Sequence, residues 1–246
     1  MTESRRQIGP DLFRPTHLPL RQLDKPRGDM VHLWHLDLDA LSNPLQPDGS
    51  ASSAALSVYQ QRAVRRFYVR LILGAYLGKP GKDVHVSRRI KGRPELDFSQ
   101  SRGELDFSVA RSRNGYLIGI SSGAAIGVDL EVAARRSGKP MALADRYFSK
   151  AETAALADFS GDELQRAFMH TWACKEAIVK ASGKGIANQL CRFTVDVNPD
   201  NPPSVLAMQD DDHAAWCLAI AQPTDNSIAA IAVRQKSVRL EGFSLS

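Results

Sequence analysis

The chain has 246 residues, 43% of them hydrophobic, and a formal net charge of +5 at pH 7. That length and apolar content fit one large domain or two small ones, and the lack of any run of about 18 apolar residues excludes a membrane-spanning helix. The start, MTESRRQIGPDLFRP, lacks the apolar stretch of a secretion signal, and Cys174, Cys191 and Cys217 have no metal-type spacing, so reduced thiols in a cytoplasmic protein are expected.

Residues 1–28, rich in Arg and Pro, read as irregular. VHLWHLDLDA (31–40) alternates as a strand, with Trp34, Leu36 and Leu38 on one face and His35, Asp37 and Asp39 on the other. The polar face imitates a metal site, but with no further ligand nearby an exposed edge is the preferred reading. A loop follows, then a helix from about Ala54 to Tyr76 that buries Val64, Phe67, Tyr68, Leu71 and Ala75. Arg62, Arg66 and Arg70 recur every fourth residue along another edge of that helix. Residues 61–93 hold ten Lys and Arg against one acid, Asp83. Such a patch attracts phosphates or an acidic partner. Nucleic acid is disfavoured, because no interleaved exposed aromatics and no nucleic-acid-binding signature accompany it. A solvated face is the bland alternative.

DVHVSR reads as a short strand, and KGRPEL as a turn. YLIGIS (116–121) and AIGVDLE (125–131) read as a hairpin joined by SGA. MALADRYFSKAETAAL reads as one helical segment, and a longer helix follows around FMHTWACKEAIVKAS. Strand-like stretches CRFTVDV, AAWCLAIA and IAAIAVRQ close the chain. The order implies an α+β fold with a break near residues 100–125.

The last helix poses a chemical question. Leu164, Phe168, Thr171, Trp172, Ile178 and Val179 form a buried stripe, yet Lys175 falls near its centre and Glu176 on its flank. Either Lys175 snorkels and Glu176 is solvated, or the two line a cleft. The GKG that follows is no phosphate loop: the upstream glycine and the Ser or Thr after Lys are missing, and it lies at the negative end of the helix dipole. In GVDLE, Asp129 and Glu131 share one face of a strand, about 6.5 Å apart. Two carboxylates so close suit a cation such as Mg²⁺, although an exposed Asp-x-Glu is common. Glu176 supplies a third carboxylate, beside Lys175 and Lys180. Together with the basic patch they suggest phosphoryl transfer, in which metal and Lys neutralise charge on a leaving oxygen.

IGVDLE, RYFSKAE and WACKEAIVKASGKGI, in that order, resemble the motifs of the Sfp-type 4′-phosphopantetheinyl transferases. The likeness covers residues 115–186 and extends upstream to GRP (92–94) and the helix carrying Arg62. The resemblance implies two similar α+β lobes related by a pseudo-twofold, here 1–112 and 113–246, with the active site in the cleft between them. It implies a monomeric enzyme that moves the phosphopantetheine arm of coenzyme A to a serine of an acidic acyl or peptidyl carrier protein, releasing adenosine 3′,5′-bisphosphate. Mg²⁺ would be held by Asp129, Glu131 and Glu176, with Glu176 as base and Lys180 stabilising charge on the phosphates. Arg62, Lys91, Arg93, Pro94 and Lys175 would contact coenzyme A. One stretch departs from the family: SVARS (108–112) places Ala110 and Arg111 where the family has Ser-His. Arg111, permanently charged, would take over the nucleotide 3′-phosphate. A carrier-protein binder without catalysis and another Mg²⁺-dependent phosphoryl-transfer enzyme or nuclease are the rival readings.

Overall fold

A computed structural model describes residues 7–42, 57–88, 93–132, 138–185 and 189–245. Strands β1 (Gln7–Ile8), β2 (Phe13–Thr16) and β3 (Met30–Asp37) are followed by α1 (Leu38–Ser42) and α2 (Val58–Leu77). Next come β4 (Val86–Arg88), β5 (Pro94–Leu96), α3 (Phe98–Ser101), β6 (Asp106–Ser112), β7 (Gly115–Ser121) and β8 (Ile126–Val132). Helices α4 (Pro140–Tyr147), α5 (Lys150–Leu156) and α6 (Gly161–Ser182) precede β9 (Phe193–Val195), β10 (Val205–Met208), β11 (Cys217–Ala221), β12 (Ser227–Val233) and β13 (Arg239–Leu245).

The α+β class is as expected. A five-stranded sheet runs β2-β13-β3-β7-β6, and a four-stranded sheet runs β1-β11-β12-β8. Three apolar layers stack them. Trp34, Ile118 and Ile120 meet Val64, Tyr68 and Ile72 of α2 on the outer face of the first sheet. Val31, Leu33 and Leu117 meet Ile126, Val128 and Leu130 between the sheets. Leu218, Ile220 and Ala230 meet Ala173, Ala177 and Ile178 of α6 on the outer face of the second. Each sheet is thus backed by one long helix. Among the described residues no helix is long and apolar enough to cross a membrane.

Phe67, expected in the buried stripe of α2, is 52% exposed, and four expectations about strands and boundaries change. First, β3 is no edge: it lies between β13 and β7 and is buried on both faces. His32 and His35 are therefore interior, and His32 Nδ1 lies 2.7 Å from the Tyr76 hydroxyl, which also accepts from Trp34 Nε1 at 2.9 Å. Second, β7 and β8 do not form a hairpin. Both edges of β7 are already occupied, by β3 and β6, so the chain crosses at 122–125 into the other sheet. Third, the boundary expected at 112/113 falls between paired strands, since Ser112 is opposite Gly115. The sheets divide after Ser121 instead, and the ends are exchanged: β1 joins the second sheet and β13 the first. Fourth, the segment read as one helix breaks at Phe148, where Ser149 opens α5 with a capping box closed by Glu152.

Candidate active site

The geometry of the site starts from a glycine. Ile126, Val128 and Leu130 commit one face of β8 to the core between the sheets, so Gly127, Asp129 and Glu131 face α6. A Cβ on Gly127 would stand 1.9 Å from the Ala177 carbonyl oxygen and 2.4 Å from the Ala181 amide nitrogen. Only hydrogen fits, and its absence of bulk lets α6 lie directly on β8. Gly127→Ala is expected to push the helix away, at about 1–3 kcal/mol or more of stability. A urea midpoint equal to that of the wild type would contradict this.

That close approach brings the charged groups together. Lys180 Nζ of α6 donates to Asp129 Oδ1 at 2.5 Å and lies 3.6 Å from Glu176 Oε2, one turn back on the same helix. Glu131, like Asp129 only 4% exposed, has Ser112 Oγ within 3.5 Å of its Oε2. Burial, opposed by Lys180 and reinforced by the charges of Glu176 and Glu131, pushes Asp129 up to about 7. Its Oδ2 is buried with no hydrogen-bond partner among the described residues.

Could these residues hold a divalent cation? The donors are all oxygen, they repel one another, and one buried carboxylate oxygen is unsatisfied. Each of these suits a hard cation. Among the described residues no three His, Cys, Asp or Glu already stand in a metal-holding cluster, and the Lys180 ammonium lies against both Asp129 and Glu176. The chemistry fits Mg²⁺, with Lys180 as the competing positive charge.

The seam between the sheets adjoins this site. Ile126 N donates to Asp106 Oδ2 at 2.9 Å and Val128 N to Ser108 Oγ at 3.1 Å, so side chains of β6 satisfy the free edge of β8. Arg93 closes the seam. It donates to Asp106, to the carbonyls of Phe107 and Ile126, and to that of Ala181 at the end of α6. Its two terminal nitrogens are thereby engaged in joining β6, β8 and α6, and its Nε is buried with no partner among the described residues.

Lys175 departs furthest from expectation. It neither snorkels nor faces a cleft, but is 0% exposed. Its Nζ donates to both oxygens of Glu152 and to the Phe193 carbonyl, each at 2.7 Å, and stands over the rings of Phe193 and Phe148. Burial depresses the lysine from its ordinary value, and the Glu152 charge opposes that shift. Glu152 also accepts from the amides of Ser149 and Val195, both at 2.8 Å. So α5, α6 and β9 meet at one ion pair, and Lys175 cannot touch a cofactor without unfolding the site.

The other expected residues are placed as follows. Arg62 is exposed on α2, and Pro94 is half-buried at the start of β5. Arg111 is exposed near the end of β6, on the face whose Phe107 and Val109 pack towards α2. Lys91 lies outside the described residues. Reading the sequence missed Gly127, Asp106 and Glu152. Of these, Glu152 had a legible signal, because Ser-Lys-Ala-Glu is a capping-box pattern at residues 149–152.

Residues 125–232 match the model of the 4′-phosphopantetheinyl transferase superfamily. The chain is similar to the 4′-phosphopantetheinyl transferase HetI of Nostoc sp., with 32% identity over 220 residues that cover 84% of this chain and 88% of that one. It is also similar to the 4′-phosphopantetheinyl transferase Sfp of Bacillus subtilis, with 37% identity over 82 residues, 32% of this chain and 34% of the relative. Among solved structures, a holo-(acyl-carrier-protein) synthase of Bacillus anthracis aligns with a TM-score of 0.36 and 20% identity, covering 46% of this chain and 98% of its own.

Proposed function

Because the chain belongs to the 4′-phosphopantetheinyl transferase superfamily, we propose that Asp129, Glu131 and Glu176 are the Mg²⁺ site of a transferase that takes its phosphopantetheine arm from coenzyme A. The acceptor is a serine of an acyl or peptidyl carrier protein. The observation that carries this assignment is the buried, unsatisfied Asp129 oxygen beside Lys180 and Glu176. A carboxylate this repelled and this poorly solvated is suited to exchange an ammonium for a cation-bound phosphate.

In the proposed reaction the serine Oγ forms a bond to the phosphorus that carries the pantetheine arm. The P–O bond to the nucleotide breaks, and adenosine 3′,5′-bisphosphate leaves. Glu176 accepts the serine proton, directly or through water. Lys180, freed from Asp129, offsets the charge that grows on the leaving phosphate. Mg²⁺, when bound, neutralises the pyrophosphate of coenzyme A. The test is chromatographic: incubation with coenzyme A, Mg²⁺ and an apo carrier protein should release one adenosine 3′,5′-bisphosphate per carrier. A carrier whose serine is replaced by alanine should release none. Release at the same rate from both would remove the serine from the reaction.

Arg111, exposed and standing where the resemblance sets the family's histidine, is assigned the nucleotide 3′-phosphate. Arg111→Ala should weaken coenzyme A roughly tenfold or more, since a charged hydrogen bond is worth about 1.5–3 kcal/mol. Dephospho-coenzyme A, which lacks that phosphate, should be nearly unaffected. Equal losses for both ligands would place Arg111 elsewhere.

A further inference from the structure

Strand β8, which carries Asp129 and Glu131, is the last strand of its sheet. On one edge β12 sets Ala230 opposite Asp129 and Ile228 opposite Glu131, and among the described residues no strand pairs with the other edge. A free edge this buried needs partners for its outward amides. Side chains of β6 provide them. Ile126 N donates to Asp106 Oδ2 at 2.9 Å, and Val128 N donates to Ser108 Oγ at 3.1 Å. A step of two along β6 matches a step of two along β8. Further along the same face of β6, Ala110 has no polar side chain to offer, and Ser112 Oγ lies 3.5 Å from Glu131 Oε2.

Where these bonds fall is specific. The two amides lie on either side of Gly127, the point at which β8 touches Ala177 and Ala181 of α6, and Val128 is the residue before Asp129. Backbone groups alternate along a strand, so 126 and 128 face β6 while 127, 129 and 131 face β12. The backbone is therefore pinned on both edges just where Asp129 leaves it. The support is itself fixed. Ser108 is buried, and Asp106 Oδ2 also accepts from Arg93 Nη2 at 2.5 Å. The same guanidinium reaches the Ala181 carbonyl at 3.2 Å, one residue past Lys180 on α6.

We infer that Asp106 and Ser108 are positioning residues for the metal site: they hold β8 in place against α6, and so set the reach of Asp129 and Glu131 towards a divalent cation shared with Glu176. This rests on the function proposed above. Neither residue touches the cation or the reacting atoms. Carboxylates that repel one another, one with an unpartnered buried oxygen, stay in place only on a backbone that does not yield. A role confined to joining the two sheets fits less well. The layer of Val31, Leu33 and Leu117 against Ile126, Val128 and Leu130 already joins them, and the exchanged strands β1 and β13 tie them again at the ends of the chain.

The test reads metal binding in the full chain. Mn²⁺ stands in for Mg²⁺, and its dissociation constant is taken from the EPR signal of the free ion at saturating coenzyme A. Ser108→Ala and Asp106→Ala should each weaken Mn²⁺ about 10–100-fold, the range for removing an outer partner of a metal ligand. Raising Mg²⁺ should restore most of the transfer rate in both. Asp106→Asn keeps a carbonyl oxygen for the Ile126 amide and should stay close to the wild type. If Asp106→Ala does not fold, having left Arg93 without its carboxylate, Ser108→Ala carries the test. A purely structural row would lower the urea midpoint and leave Mn²⁺ binding by the folded protein unchanged, which would overturn the inference. So would equal weakening by Asp106→Asn and Asp106→Ala. Asp129→Ala separates the inference from the reading beneath it. If Asp129→Ala binds Mn²⁺ as the wild type does, the metal site is wrong and the inference falls with it. If Asp129→Ala loses Mn²⁺ while the β6 variants keep it, the metal site stands and only the positioning role fails.

Discussion

Glu176→Gln is expected to run about 10²–10⁴-fold slower than the wild type even at saturating Mg²⁺, the usual contribution of a positioned proton acceptor. The substitution keeps the size of the side chain and one carbonyl oxygen. It removes one negative charge from a site that already repels, so Asp129 loses one of the charges that push it up. Mg²⁺ should bind more weakly, and part of the lost rate should return as Mg²⁺ is raised. If Glu176 were a ligand alone, the whole deficit would disappear. If, as proposed, the residue also takes the serine proton, the deficit persists at saturation. Asp129→Ala provides the contrast: it abolishes transfer at ordinary Mg²⁺ without loss of fold, since it removes a buried carboxylate with one unsatisfied oxygen. The measurement is transfer rate against Mg²⁺ concentration for the three proteins. Full recovery of Glu176→Gln at high Mg²⁺ would remove the base assignment.

Lys175→Met should lower the free energy of unfolding by about 3–5 kcal/mol, the range for removing one partner of a buried ion pair. The lost ammonium leaves the Glu152 carboxylate buried with only the Ser149 and Val195 amides to satisfy it. The damage is specific to charge. Methionine fills most of the lysine volume, and the rings of Phe148 and Phe193 accept a thioether readily. Adding Glu152→Gln to the same chain should therefore restore part of the loss, because the unpaired charge is gone. Urea denaturation of the two single variants and the double variant measures this directly. A loss below about 1 kcal/mol in Lys175→Met, or a double variant as unstable as the sum of the singles, would contradict a structural ion pair. Any activity that survives should track the folded fraction, since Lys175 lies beneath the site and not in it.

Much of this molecule was legible in its sequence, and the parts that were not share a cause. Helices α2 and α6 follow from local periodicity, and their ends from local chemistry: Ser57 caps α2, and Gly78 and Gly183 close the two helices in left-handed conformations. The carboxylates Asp129 and Glu131 fall on one face of β8 because strands alternate. What local pattern cannot reveal is which strand lies beside which. YLIGIS and AIGVDLE look like a hairpin from their spacing, but β7 already has neighbours on both edges. VHLWHLDL looks like an exposed edge because its polar face has no further ligand nearby in sequence, yet the strand is interior and His32 is satisfied by Tyr76, 44 residues away. Strand β13 was not anticipated at all; its two neighbours, β2 and β3, lie at the other end of the chain.

The same limit applies to the charged residues. Lys175 and Lys180 sit five residues apart on one helix, and the family resemblance sets both against coenzyme A. One finds Glu152 inside the protein and the other finds Asp129 at its edge, and only the packing of α5 and β8 against α6 separates them. Arg93 likewise reads as a phosphate ligand within a basic stretch. Its partners are an aspartate and three carbonyls that come from three separate elements, β6, β8 and α6.

The central claim, transfer of phosphopantetheine to a carrier serine, is tested most directly by intact-mass spectrometry of an apo carrier protein after incubation with this enzyme, coenzyme A and Mg²⁺. The predicted result is a mass gain of one phosphopantetheine, located on the acceptor serine and absent when Mg²⁺ is chelated. An unmodified carrier, in a sample that a known transferase of the family converts fully under the same conditions, would contradict it.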